Sequence, residues 1–140
     1  MINILGIDHL VIRANNAAAM INFYTNILGC TVEREMSAEF GLTQLRAGRA
    51  LIDIVSVDSI LGKKGGPGPD STGNNLDHFC LQIEQVDETA LTEFLEEQNV
   101  AVSRFERRYG ATGFGRSIYI TDPEGNIVEL KCVDNAGASP

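Results

Sequence analysis

The strongest constraint on how this 140-residue chain can fold is that its grammar runs twice. Ile7-Asp8-His9-Leu10 opens one half and Leu76-Asp77-His78-Phe79 opens the other, which puts the chain's only two histidines at matching places, 69 residues apart. Later in each half an acid interrupts an apolar run: Asp53 within Leu51-Ile52-Asp53-Ile54-Val55, and Glu129 within Ile127-Val128-Glu129-Leu130. These acids are 76 residues apart, a difference that a longer loop in the second half absorbs. A repeat of this kind marks one supersecondary unit used twice. Two such units related by a pseudo-twofold axis would bring His9, Asp53, His78 and Glu129 together.

Local patterning gives the content of each unit. Residues 4–14 read as a strand, and Asn15-Asn16 caps a helix over 17–28, whose apolar residues Met20, Ile21, Tyr24, Ile27 and Leu28 recur at helical spacing. Gly29 stands where helices commonly end. Strands are predicted at 30–38, 40–46 and 50–57. The stretch 59–75 contains Gly-Lys-Lys-Gly-Gly-Pro-Gly-Pro and can hold neither helix nor central strand, so it is a loop, either a linker or a lid over a site. The order then recurs: a strand at 76–84, a helix over 88–98 capped by Asp87, and strands at 101–107, 116–121 and 126–133, the last two joined by the turn residues Asp122-Pro123-Glu124-Gly125. The expectation is β-α-β-β-β, loop, β-α-β-β-β: a single domain over 1–135 made of modules 4–58 and 76–133, with a tail at 134–140.

Composition narrows the partners. The formal charge of −8 and a pI near 4.6 oppose binding to nucleic acid or anionic membrane, because the long-range field repels phosphate. No apolar run approaches the roughly 20 residues that a membrane span needs, and the N-terminus carries no basic segment ahead of an apolar one. Cys30, Cys80 and Cys132 are odd in number, widely spaced and without a CxxC pair, so they read as small hydrophobes in a reducing compartment. A cytoplasmic protein acting on a small molecule is expected.

Strand alternation assigns faces. His9 shares a face with Val11 and Arg13, His78 with Cys80 and Gln82, and Glu129 with Lys131, each opposite an apolar face that suits a covering helix. Polarity does not assign a face to Asp53, and Asp8 and Asp77 are expected to point away from their neighbouring histidines. Two imidazoles and a carboxylate suit a divalent first-row metal (Zn, Ni, Mn or Fe) and leave coordination positions open for water or substrate. A buried Glu129 without a partner would cost several kcal/mol. Asp53 can be read as a ligand, a base or a strand-edge residue.

Here the motifs carry a resemblance. Gly6-Ile7-Asp8-His9-Leu10-Val11, Asn22-Phe23-Tyr24 followed by Leu28-Gly29, Asp77-His78, and Tyr119-Ile120-Thr121-Asp122-Pro123-Glu124-Gly125-Asn126 ending at Glu129 resemble the vicinal oxygen chelate superfamily. That superfamily includes glyoxalase I, bleomycin-binding proteins, fosfomycin-resistance proteins and extradiol dioxygenases. The resemblance implies an α+β fold of paired βαβββ modules forming a U-shaped mixed sheet with a helix outside each module. It also implies His9, His78 and Glu129 as metal ligands, and that a homodimer can form.

Departures discriminate among members. Residues 107–116 carry no histidine where extradiol dioxygenases place an acid/base, which disfavours oxygen-dependent ring cleavage. Asp53 stands where glyoxalase I resembles this chain with a Glu, and its carboxylate is shorter by about 1.5 Å, one carbon–carbon bond. The same acid argues against the fosfomycin thiol transferases. The preferred reading is a metal-dependent lyase or isomerase of the glyoxalase type, acting on a small substrate that chelates through adjacent oxygens. Glu129 or Asp53 would move the proton, Tyr119 would hydrogen-bond substrate or water, and Arg13 would bind a substrate carboxylate or phosphate. The rival reading is a metal-free, bleomycin-resistance-type binding protein. Such proteins generally lack the metal ligands that His9, His78 and Glu129 match.

Overall fold

The computed structural model describes residues 1–74 and 76–133; position 75 and the tail at 134–140 lie outside the described residues. The chain divides into two compact units, Met1–Asn75 and Leu76–Pro140. The first contains β1 (His9–Ala14), α1 (Ala17–Asn22), β2 (Thr31–Glu35), β3 (Leu42–Ala47) and β4 (Ala50–Ser56), with sheet order β1-β4-β3-β2. The second contains β5 (Phe79–Ile83), α2 (Glu88–Glu97), β6 (Glu106–Gly110), β7 (Gly113–Thr121) and β8 (Ile127–Cys132), with order β5-β8-β7-β6. In both, the first strand runs parallel to the last and the other pairings are antiparallel. The fold is α+β, and the βαβββ order occurs twice.

The elements form for local reasons. Asn16 accepts the Ala19 N–H through its side chain at 3.0 Å, and Asp87 does the same for Ala90 at 2.9 Å, so each helix starts on a side-chain cap. The apolar faces make the cores: Ile12, Ala14, Ile52 and Ile54 with Met20, Phe23 and Tyr24 in the first unit, and Ile118, Ile120, Val128 and Leu130 with Leu95 in the second. Burial of side chains this size contributes on the order of 2 kcal/mol each.

Several boundaries differ from those expected: β2 ends at Glu35 rather than 38, and β5 begins at Phe79 rather than 76. β1 begins at His9 rather than residue 4 because its partner β4 begins at Ala50, just after the turn at Gly48, so the chain before Asp8 has no ladder to join. The helix over 17–28 changes character after Asn22: Leu28 N–H bonds Phe23 O, a π-helical turn over Phe23–Ile27, before Gly29 ends it at φ 81°. The strand expected at 101–107 is only a bridge between Val102 and Ile120, and β6 lies later, at Glu106–Gly110. β7 starts at Gly113, not 116, because Gly113 adopts φ 89° and closes a tight hairpin with Gly110. Within the described part of the 59–75 loop, Gly62–Gly65 forms a short 3₁₀ turn.

Candidate functional site

Each unit presents one polar sheet face opposite its helix-covered face. In the first, Asp53 pairs with Val11 on β1 and with Gln44 on β3, which puts it on the His9 face, an orientation the sequence left open. Asp53 is 3% exposed; its Oδ2 accepts from Gln44 Nε2 at 3.1 Å, while Oδ1 is buried without a hydrogen-bond partner. Arg13 shares this face, but its guanidinium donates to the carbonyls of Gly62, Gly66 and Pro67, fastening the loop.

In the second unit, Cys80 on β5 and Tyr119 on β7 flank Glu129 on β8 in register. The His78 ring meets the Tyr119 ring edge-on, with centroids 5.4 Å apart. Glu129 is buried, and its Oε1 accepts from Ser117 Oγ at 2.9 Å. Ser117 Oγ in turn accepts from Arg108 Nη1 at 3.0 Å, and the Arg108 guanidinium lies 4.3 Å from the centroid of the Tyr119 ring. His78, Tyr119 and Glu129 therefore stand on one surface.

The two aspartates before the histidines do not point away. Asp8 Oδ2 lies 2.6 Å from His9 Nδ1, and Asp77 Oδ2 lies 2.6 Å from His78 Nδ1. Alternation binds only residues held in a ladder, and Asp8, Asp77 and His78 precede their strands. In both units the carboxylate occupies Nδ1, and among the described residues Nε2 has no hydrogen bond. Carboxylate–imidazole pairs of this kind orient metal-ligating histidines and raise their basicity. The Asp8 hydrogen bond raises the His9 pKa against the opposing effect of burial, and the charges of Asp53 and Asp8 add to the rise. Desolvation first, and then the hydrogen bond and charge of Glu129, push the Cys80 thiol up to about 12.

Among the described residues, no three His, Cys, Asp or Glu side chains gather into a metal-holding group. The first unit offers His9 and Asp53, the second His78 and Glu129. Ser117, Lys131 and Thr112 carry polar contacts on or beside the Glu129 face that sequence reasoning did not single out as functional. Strand parity does put Lys131 beside Glu129, and that was the available signal.

The profile of the Glyoxalase/Bleomycin resistance protein/Dioxygenase superfamily matches residues 6–130. The chain belongs to this superfamily. It is 27% identical over 128 residues to the virulence protein STM3117 of Salmonella typhimurium strain LT2, covering 89% of this chain and 81% of that one. Its fold is similar to an integron cassette protein from the mobile metagenome of V. cholerae, with TM-score 0.74, 24% identity, and 94% and 98% of the two chains covered. It is also similar in fold to a lactoylglutathione lyase from Agrobacterium tumefaciens, with TM-score 0.63, 17% identity and 94% of each chain covered. No helix among the described residues is long and apolar enough to cross a membrane.

Proposed function

We propose that this superfamily member is a divalent-metal-dependent, glyoxalase-like lyase or isomerase that moves a proton on a small substrate chelating through adjacent oxygens. The observation that carries this reading is the twin arrangement of His9 with Asp8 and His78 with Asp77, each imidazole held at Nδ1 with Nε2 left as a donor. The partnerless Oδ1 of Asp53 supports it further, since a buried carboxylate oxygen without a hydrogen bond costs about 1–3 kcal/mol unless a cation or substrate proton satisfies it.

The donor set fits a first-row divalent ion, and His9, His78 and Glu129 are the residues that would hold it. A bound ion of this kind supplies Lewis-acid stabilisation of negative charge developing on substrate oxygen. The chain's own residues do the rest. Asp53 Oδ1 accepts the proton from one carbon and returns it to the next. Ser117 fixes Glu129 Oε1, and Arg108 fixes Ser117, so the Glu129 carboxylate keeps one orientation. Tyr119, gripped between the His78 ring and the Arg108 guanidinium, hydrogen-bonds substrate or water. Arg13, its donors spent on loop carbonyls, serves the substrate by fixing the loop rather than by a free guanidinium.

Metal analysis of the purified protein, joined to a metal-reconstituted screen on hemithioacetals, epoxides and 2-oxo acyl-CoAs, tests the proposal. A stoichiometric divalent ion, reduced by His9→Ala and by His78→Ala together with turnover, is the expected result. Tight binding of an apolar ligand with no metal dependence would replace the enzyme with a sequestering protein.

A further inference from the structure

The polar face of the second unit contains a cation that the proposed chemistry does not use. Lys131 lies two residues beyond Glu129 on the same face of β8, directly opposite Ser117, and is 2% exposed. Its Nζ donates to Thr112 Oγ1 at 3.2 Å, and among the described residues the ammonium forms no ion pair. Carboxylates close by are engaged elsewhere: Glu129 accepts from Ser117, and Glu106 pairs with Arg108 at 3.2 Å. Burying an ammonium against a single hydroxyl is costly, and such groups are normally paired.

The backbone is shaped around this side chain. A Cβ at Gly110 would sit 3.2 Å from Lys131 Cδ, and one at Gly115 would sit 3.1 Å from Nζ and 2.6 Å from the Cys132 carbonyl oxygen. Gly115 pairs in register with Arg108, so both cations flank one glycine. Lys131 and Arg108 thus share one face with Glu106 and Glu129, Arg108 being paired with Glu106 and Lys131 having no ion pair among the described residues. Thr112, the partner of Nζ, is exposed at the tip of the β6–β7 hairpin.

We infer that Lys131, with Arg108 beside it, is a subsite for an oxyanion, the carboxylate or phosphate group of the substrate. The Cα atoms of Glu129 and Lys131 are about 7 Å apart, two residues along one strand face, and Nζ reaches on towards Thr112, so the charged group lies beyond the end of the substrate that meets Glu129. The substrate class becomes an anionic molecule whose charged group sits a few bonds from its adjacent oxygens. This deepens the reading given under Proposed function and rests on it for the word substrate, but the oxyanion site itself stands on the second unit alone.

Inorganic phosphate and acetate, titrated separately at constant ionic strength into chelator-treated protein, test the inference. Thermal midpoint and the NMR shift of the Lys131 Cε are the readouts. A saturable rise of roughly 4 °C with at least one of the two, accompanied by movement of the Lys131 signal, is expected; phosphate alone or acetate alone names the group. Lys131→Met, close in volume and uncharged, should fold with an unliganded midpoint at or above wild type and should bind the oxyanion about tenfold or more weakly. His78→Ala should keep the oxyanion response while losing metal, so a failure of the metal reading is told apart from a failure of this one. No saturable response to either ion, no movement of the Lys131 signal on binding, or undiminished binding by Lys131→Met overturns the subsite.

Discussion

Gln44 Nε2 donates to one oxygen of the buried Asp53 carboxylate at 3.1 Å, and the other oxygen of that carboxylate has no partner. Structure and chemistry pull in opposite directions at this residue. A carboxylate half-satisfied in the interior destabilises the fold, yet an unengaged oxygen is what a proton acceptor needs.

Asp53→Asn is therefore expected to separate the two. Replacing the charge with a neutral amide should stabilise the metal-free protein by about 1 kcal/mol, read as a raised thermal midpoint, while turnover falls on the order of 100-fold. A variant as active as wild type would remove Asp53 from proton transfer.

The His9 pKa gives a pH prediction with a definite sign. Because the folded value is raised by Asp8, the contribution of the protonated ring to stability is fully present below the unfolded value near 6.5 and is lost as pH rises through the folded value. In metal-free protein, NMR titration should place His9 above that reference. Asp8→Asn should bring it down towards the reference and flatten the loss of stability on the alkaline side.

Cys80 is exposed, yet its thiol titrates near 12 because of desolvation and the neighbouring Glu129. Its reaction with a disulfide reagent should stay slow from neutral pH to pH 9, slower than a free thiol of ordinary pKa near 8.5 by about tenfold or more. Glu129→Gln removes the charge and should speed the reaction in metal-free protein. Unchanged reactivity would mean that Glu129 does not act on the thiol.

Arg13 ties β1 to the 3₁₀ turn and to the carbonyls that follow it, and Lys63 and Lys64 lie within that strap. Arg13→Ala should leave the sheets intact but release the strap, increasing tryptic cleavage after Lys63 or Lys64 by about tenfold as local opening becomes easier. Far-UV circular dichroism checks that the sheets persist.

Legibility in the sequence follows the range of the interaction responsible. The helix caps Asn16 and Asp87, the apolar faces of β1 and β8 and the turn at Asp122 are short-range, and each could be read from a few letters. β6 could not: its residues Glu106, Arg107, Arg108, Tyr109 and Gly110 carry no apolar alternation, and the strand exists because β7 lies beside it. The same limit hid the Asp8–His9 and Asp77–His78 bonds, since alternation was extended to residues that stand outside the ladder.

By itself the sequence determined the repeated βαβββ order and the superfamily, and it singled out His9, Arg13, Asp53, His78, Tyr119 and Glu129 as candidates, because periodicity, capping and repetition are properties of neighbouring residues. Only the tertiary structure decided that Asp53 faces the His9 side, that Ser117 and Arg108 hold Glu129, and that Lys131 is buried without an ion pair among the described residues. Those relations depend on strand register, which is set by pairing between segments distant along the chain.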